Sequence, residues 1–461
     1  MTRIHLIGIG GTGLSAIARV LLEMGHTVSG SDSLESSFTH DLEASGAVIH
    51  IGHRPENIRN VDLVVRSSAI PDDNPEVIAA RAFNILVLKR ADFLGSLMDG
   101  KTGIAVAGTH GKTSTTAMIA WLLLSLKKDP SFIVGGVLTN LGVNARAGKG
   151  PLFVIEADEY DRMFLGLRPV IEVVTNIEHD HPDCYPTLAD FQEAFVEFMY
   201  KLPVEGTLIA CHDDPGARSL LERAETLGKS VITYGMVSTS ETGKLLQVSA
   251  SKLVTNDRGG FSFDASVQGS SVHVDLQVPG RHNVLNALAA LAVSQVLMLP
   301  LADSARALEA FTGTKRRFEV RGEVNGIVIV DDYAHHPSEI IATLAAARAR
   351  YPSRRIWAVW QPHTYSRTQT LSNEFAAAFI DADKVIVTEV YPAREPQQAY
   401  SSRQVVDAMT RQAHFIPSLP EVSDFLSKNL LPGDALLVLS AGDADRISTE
   451  MLTRLKEARN G

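Results

Sequence analysis

The segment from Gly103 to Leu126 constrains this 461-residue chain more than any other. Gly103-Ile104-Ala105-Val106-Ala107 is an apolar run of strand length, and it ends in Gly108-Thr109-His110-Gly111-Lys112-Thr113. An apolar run of helical length, Thr113–Leu126, follows at once. A strand that turns through a glycine-containing loop into a helix aims backbone N–H groups and the positive end of the helix dipole at one spot, which suits a phosphate. Lys112 is placed to reach terminal phosphates, and the Thr113 hydroxyl to bind Mg2+. The usual pattern has a further glycine five residues before the second one. Val106 stands there, so the loop is a short variant.

Strand and helix patterns alternate along the rest of the chain. The first stretch carries Ile4–Ile9, the helical spacing of Leu14–Met24, Val28–Asp32 and Leu63–Arg66. After the phosphate loop come strand-like runs at Leu152–Glu156 and Val170–Asn176. Polar and apolar residues alternate over Leu246–Leu276 around an Asp257-Arg258-Gly259-Gly260 turn, the pattern of an antiparallel edge hairpin or meander. A helix is expected from His282 to about Leu297. The last stretch carries strands at Gly326–Asp331, Arg355–Trp360, Lys384–Thr388 and Ala435–Leu439, with helices at Glu339–Arg350 and Ser372–Ile380. Such alternation predicts an α/β chain of three domains, 1–100, 101–314 and 315–461. Each is built on a mainly parallel sheet with flanking helices, and the central one is P-loop ATPase-like. The length fits about three domains of roughly 100–200 residues.

A net charge of −10 argues against a nucleic-acid partner, which calls for a basic stripe. Two cysteines, Cys184 and Cys211, are too few for a disulfide framework and fit a reducing compartment. No secretory leader precedes the first strand, and no apolar run reaches the roughly 20 residues of a bilayer span. A cytoplasmic enzyme with no membrane partner is expected.

Gly8-Ile9-Gly10-Gly11-Thr12-Gly13 is a second glycine-rich turn between a strand and a helix, and Asp32 ends the next strand. This is a dinucleotide-binding pattern, with Asp32 placed for a ribose hydroxyl. The same physics cradles the pyrophosphate of any nucleotide diphosphate, and a dehydrogenase has no need of the second, ATP-type loop. Glu156-Ala157-Asp158-Glu159 and Asn176-Ile177-Glu178-His179-Asp180-His181 end strands whose carboxyl edges open beside that loop. Glu156 with Thr113 makes a plausible Mg2+ cage, and His181 a nitrogen ligand to a second, more tolerant ion such as Mn2+. The His179–His181 pair is a poor zinc site, because no further His or Cys has the right spacing. Asn283 and Asn286 share a helix face, suited to an adenine edge or to capping. Arg316-Arg317 sits at a domain junction. Asp331-Asp332-Tyr333-Ala334-His335-His336 and Gln361-Pro362-His363-Thr364-Tyr365-Ser366-Arg367 concentrate polar and aromatic residues at two adjacent strand ends, which marks a binding edge.

In order along the chain stand GIGGTG at 8–13, RSSAIPDDNPE at 66–76, AGTHGKTSTT at 107–116, EADEYD at 156–161 and TNIEHDHPD at 175–183. PGRHNVLNALAA at 279–290, RRFEVRGE at 316–323, VDDYAHHPSEI at 330–340 and QPHTYSRT at 361–368 follow. Together they resemble the Mur ligase family of peptidoglycan synthesis. The resemblance implies a nucleotide-sugar domain, an ATP domain and a mobile third domain. It implies that Gly10, Gly11, Gly13, Asp32, Ser67 and Ser68 serve UDP-N-acetylmuramate. Gly108, Thr109, His110, Gly111, Lys112, Thr113 and Ser114 would hold ATP with Asn283, Asn286, Arg317 and Asp332. Thr113, Glu156 and His181 would hold Mg2+ or Mn2+. Tyr333, His335 and Arg367 would lie near the amino acid and the muramoyl carboxylate, with Lys112, His181, His335 and Arg367 as the catalytic set. Thr364 stands where many relatives have arginine. No lysine occurs in 183–200, so the carbamylated lysine of several sister ligases is not expected.

The activity so implied is ATP-dependent ligation of L-alanine to the lactoyl carboxylate of UDP-N-acetylmuramate through an acyl phosphate, by a monomer or homodimer. His335 is the candidate base for the amine proton, and no Ser or Cys nucleophile is needed. The alternatives are a ligase that attaches a preformed peptide to the same sugar nucleotide, an NAD-dependent dehydrogenase, and a non-catalytic nucleotide-binding switch.

Overall fold

The computed structural model describes residues 2–236 and 246–460, with side chains through residue 457. Three sheets follow one another along the chain. The first is five-stranded and wholly parallel, and its first strand, Arg3–Ile7, lies at the centre between Thr27–Asp32 and Leu63–Arg66. The second has ten strands. Thr102–Ala107, which leads into the phosphate loop, lies between Leu152–Glu156 and Ile171–Val174 with parallel register on both sides. The third has six, with Ile327–Asp332, Asp434–Leu439 and Arg355–Trp360 adjacent and parallel. The sequence reading of a three-sheet α/β chain holds. The expected meander is present as Val248–Thr255, Phe261–Val267 and Ser270–Asp275, antiparallel at the edge of the second sheet. No helix among the described residues is long and apolar enough to cross a membrane.

Strand periodicity explains how both faces are covered. In Ile327–Asp332, Val328 and Val330 enter one core of the C-terminal sheet and Ile327 and Ile329 enter the other. In Arg3–Ile7, Ile4 and Leu6 join a core continuous with that of the central sheet, while Ile7 joins a smaller one on the opposite face. The strand stops two residues earlier than its apolar run predicts, because Gly8 turns the chain at φ +88°. The run expected as one helix at Ser372–Ile380 is a short helix, Ser372–Ala377, following a separate Tyr365–Thr370 turn of helix.

His5 shares the face of Ile7 and is fully buried beside Glu76, which is buried as well. Glu76 accepts hydrogen bonds from Ser31 Oγ (2.5 Å) and Asn57 Nδ2 (2.6 Å), and pairs with His53 Nδ1 at 3.1 Å and His5 Nε2 at 3.6 Å. Burial alone would raise this carboxyl. The bonds from His5, Ser31 and Asn57 outweigh burial and hold it at about 2. One acid on the helix Pro75–Ala82 thus ties together two strands, the loop residue His53 and the short helical turn Pro55–Ile58. Glu76→Ala is expected to cost about 3 kcal/mol in urea unfolding, since it strands several buried partners. The folded-state pKa is depressed, so the ionised acid contributes fully above about pH 4.5, and its contribution fades as pH falls towards 2. Glu76→Gln should flatten that acid limb; an unchanged limb would refute the assignment.

Candidate active site

The phosphate loop is laced to the end of strand Ile171–Val174. Thr109 N–H donates to Asn176 O (3.0 Å), His110 N–H to Asn176 Oδ1 (2.8 Å), and Thr109 Oγ1 to Glu178 O (2.8 Å). Gly108 has φ +131°, and a β-carbon there would lie 2.0 Å from Thr175 Oγ1, so no other residue fits. Lys112 begins the helix Lys112–Ser125 and turns its ammonium back over the loop, 3.0 Å from Thr109 O and 2.9 Å from Glu159. Burial would lower the Lys112 pKa, but Glu159, Asp158 and Glu156 together raise it, so the side chain stays charged. Thr113 Oγ1 donates to Glu156 Oε1 (2.9 Å), and Gly135 N–H to Glu156 Oε2 (2.6 Å). Burial pushes the pKa values of Glu156 and Asp158 up. A hydroxyl and a carboxylate already in contact, among acids whose charge is costly, are a fitting donor set for a hard divalent ion. His181 lies 3.5 Å from Glu159 and 3.7 Å from Asp180, with its Nδ1 buried and unbonded. His179 instead bonds the Tyr185 carbonyl, so the two histidines do not act as a pair.

A cavity of about 290 Å3 opens between the central and C-terminal sheets, lined on one side by His110, Gly111, Thr113, Ser114, Asn283 and Asn286. Arg317, Asp332, Ser338 and Glu339 line its other side. Asn286 Nδ2 donates to Asn283 Oδ1 and Asn283 Nδ2 to Pro279 O, which leaves Asn286 Oδ1 facing Gly111. Asp332 is raised to about 6, burial outweighing Arg317, and it accepts from the N–H groups of Phe318 and Ala334. Tyr333 is flanked by the guanidinium groups of Arg316 and Arg317, each 5.1 Å from its ring centre.

A second cavity, about 170 Å3, brings the first glycine-rich turn to the carboxylates: Thr12 and Gly13 line it with Gly135, Glu156 and Asp158. Arg90 lies so close to Gly13 that a β-carbon there would be 1.6 Å from Nη1. Nothing in the sequence motifs singled Arg90 out. Asp32, expected near a ribose, accepts from Gly10 N–H (2.9 Å) and Ser33 N–H (2.8 Å) and so braces the turn. Ser67 packs against Gly8 within reach of that turn, and Ser68 is exposed.

Profiles of the Mur ligase family match in order: its catalytic domain at residues 3–102, its middle domain at 106–294 and its glutamate ligase domain at 316–442. The UDP-N-acetylmuramate–L-alanine ligase of Salinibacter ruber is 43% identical over 98% of this chain and 95% of its own. That of Desulforamulus reducens is 44% identical over 99% and 98%. The chain belongs to the Mur ligase family. The crystal structure of the UDP-N-acetylmuramate–alanine ligase of Thermotoga maritima superposes with a TM-score of 0.83 at 30% identity, covering 99% of this chain and 100% of that one. A murein peptide ligase from Psychrobacter arcticus gives 0.72 at 27% identity over 99% of both.

In this Mur ligase the C-terminal residues read from the sequence meet the central domain directly. Arg367 bonds Asp180 through Nε (3.1 Å) and Nη2 (2.8 Å), both side chains being buried. Burial would raise Asp180, but Arg367 pulls it far below the usual carboxylate range. Arg367 therefore ties two domains together in this arrangement rather than standing free for a substrate. His335 donates from Nδ1 to Tyr333 O (2.9 Å), and burial with Arg367 nearby lowers its pKa to about 3. It is a neutral imidazole and a weak proton acceptor here, which counts against its reading as a strong base. Thr364 is buried at φ +66°, a rare conformation for a β-branched residue, with its N–H on Tyr391 O. Asp180→Ala leaves a buried guanidinium unpaired and should weaken the joint by about 3–5 kcal/mol. Amide exchange across 365–370 should then accelerate; unaltered protection would show that the pair is not a strut.

Proposed function

We propose that this chain joins L-alanine to the lactoyl carboxylate of UDP-N-acetylmuramate in the cytoplasm, with ATP, and Mg2+ or Mn2+, through an acyl phosphate. The observation that carries the reading is the second cavity: the first glycine-rich turn and the carboxylates beside the phosphate loop line one space. An acid delivered by the N-terminal domain thus meets the phosphoryl donor of the central domain. Relatives named for this activity span almost the whole chain at 43–44% identity, which supports the same choice.

The roles follow from placement. Residues 1–100 bind the sugar nucleotide, 101–314 bind ATP, and 315–461 close over both. The loop N–H groups and Lys112 orient the triphosphate and neutralise charge as it shifts towards the leaving group. Thr113 and Glu156 would hold the divalent ion, which supplies charge neutralisation on the phosphates when bound. Asn283 and Asn286 turn amides towards the nucleotide cavity, and Arg317 and Asp332 close it from the C-terminal side. His335, neutral at working pH, orients the incoming amine, which must arrive unprotonated. Positioning provides most of the rate, with no covalent enzyme intermediate.

Lys112→Ala should reduce L-alanine-dependent phosphate release by at least about 100-fold while UDP-N-acetylmuramate still binds by calorimetry. Retained turnover would refute the phosphate-loop role. Glycine, L-serine and the L-alanyl-γ-D-glutamyl-diaminopimelate tripeptide belong in the same assay. Phosphate release with tripeptide alone would move the chain to the peptide-adding class.

A further inference from the structure

Sequence spacing offers no good zinc site, yet three distant segments bring two imidazoles and a carboxylate together. His110 comes from the phosphate loop, Glu178 from the loop after strand Ile171–Val174, and His336 from the residue before helix Pro337–Arg350. One ligand atom from each lies within 4.8 Å of the others. His110 Nε2 is 3.0 Å from Glu178 Oε2, and His336 Nδ1 is 3.9 Å from Glu178 Oε1. The two imidazole rings are 4.8 Å apart, centre to centre.

His336 is the independent sign that something binds there. It is 2% exposed, and neither ring nitrogen has a hydrogen-bond partner. A buried imidazole with both nitrogens bare is uncommon, because buried polar atoms nearly always find a partner. The surroundings also orient the other two ligands. Glu339 takes the far nitrogen of His110, Nδ1, at 3.2 Å, and is itself fixed by the N–H of His335 (2.9 Å) and by Arg317 at 3.6 Å. Ser338 Oγ donates to Glu178 Oε1 at 2.7 Å, which leaves Oε2 towards His110. A carboxylate behind one ligating imidazole and a hydroxyl behind the ligating acid are the outer partners that metal sites use to set tautomer and direction.

We propose that His110, Glu178 and His336 bind one divalent transition-metal ion of the Zn2+ or Co2+ type across the joint between the central and C-terminal domains. Two imidazoles favour such ions over Mg2+, which takes oxygen ligands. Three protein ligands leave a position for water or a phosphate oxygen. The site shares no residue with Thr113 and Glu156, and none with His181. His110 and Glu178 belong to one domain and His336 to the other, so the ion cross-links the phosphate loop to the closing domain.

The test uses the full chain, stripped with chelator and titrated with Co2+ without nucleotide. One Co2+ per chain with visible d–d bands is expected, and Zn2+ should displace it and raise the melting temperature. His336→Ala should abolish the bands, and Glu339→Gln should weaken binding about 10–100-fold. Glu156→Gln should leave both spectrum and affinity unchanged, which separates this site from the Mg2+ cage. Because no turnover is read, the outcome is independent of the ligase assignment. No stoichiometric Co2+ binding in the wild type, or an unchanged spectrum and affinity in a His336→Ala protein that melts as the stripped wild type does, would overturn the proposal.

Discussion

The close approach of the phosphate loop to the end of strand Ile171–Val174 is the constraint from which the rest of the site follows. Six hydrogen bonds among Thr109, His110, Thr175, Asn176 and Glu178 interlock there, with Thr175 Oγ1 on His110 O at 2.6 Å and Glu178 N–H on Thr109 Oγ1 at 2.9 Å. The loop cannot shift without dragging the segment 175–181. That segment carries Glu178, Asp180 and His181, each of which reaches a different neighbour: His110 and Ser338, Arg367, and Glu159. Nucleotide grip, domain joint and the histidine near the acids are therefore set by one short rigid splice.

Where local chemistry suffices, the sequence is readable. Strands Leu152–Glu156 and Arg355–Trp360 match their apolar runs to the residue, because the short length of each run and the turn residues at its ends decide for a strand over a helix. The phosphate loop was readable because strand, glycines, lysine and helix are contiguous. Pairings over long separation were not: Arg367 meets Asp180 across 187 positions and His110 meets Glu339 across 229. Arg367 looked like a substrate ligand from its motif, and only the fold reveals the acid opposite it. Asp32 illustrates the other limit. Its position after the second strand is that of a ribose ligand, yet the same short distance lets it hold the Gly10 N–H. A motif fixes where a side chain starts, while the partners that compete for it come from elsewhere in the chain.

Charge balance gives the two proposed metal environments different characters. Around Lys112 stand Glu156, Asp158 and the buried Glu159, three acids against one ammonium. Lys112 and His181 suffice to keep Glu159 ionised, its pKa falling although burial opposes it, while Glu156 and Asp158 remain raised. The deficit is of positive charge close to oxygen donors, which a hard divalent ion corrects. Around His110 the sum differs. Glu178 is held low against burial by its bond to His110, and Glu339 by His335, His110 and Arg317. No charge is missing there; the defect is the unbonded His336 ring, which an added charge alone would not mend but a ligand-hungry cation would.

The two environments flank one loop, which makes their states interdependent. Lys112 folds back onto the carbonyl of Thr109, one residue from His110. A phosphate that draws Lys112 outwards releases this carbonyl side of the loop while the N–H groups of Thr109 and His110 stay fixed to Asn176. The His110 side chain therefore keeps its aim at Glu178 and Glu339 through nucleotide entry. Its position is set by the splice rather than by the ligand. The groups that His110 turns towards Glu339 and His336 therefore stay in place whether or not Lys112 moves.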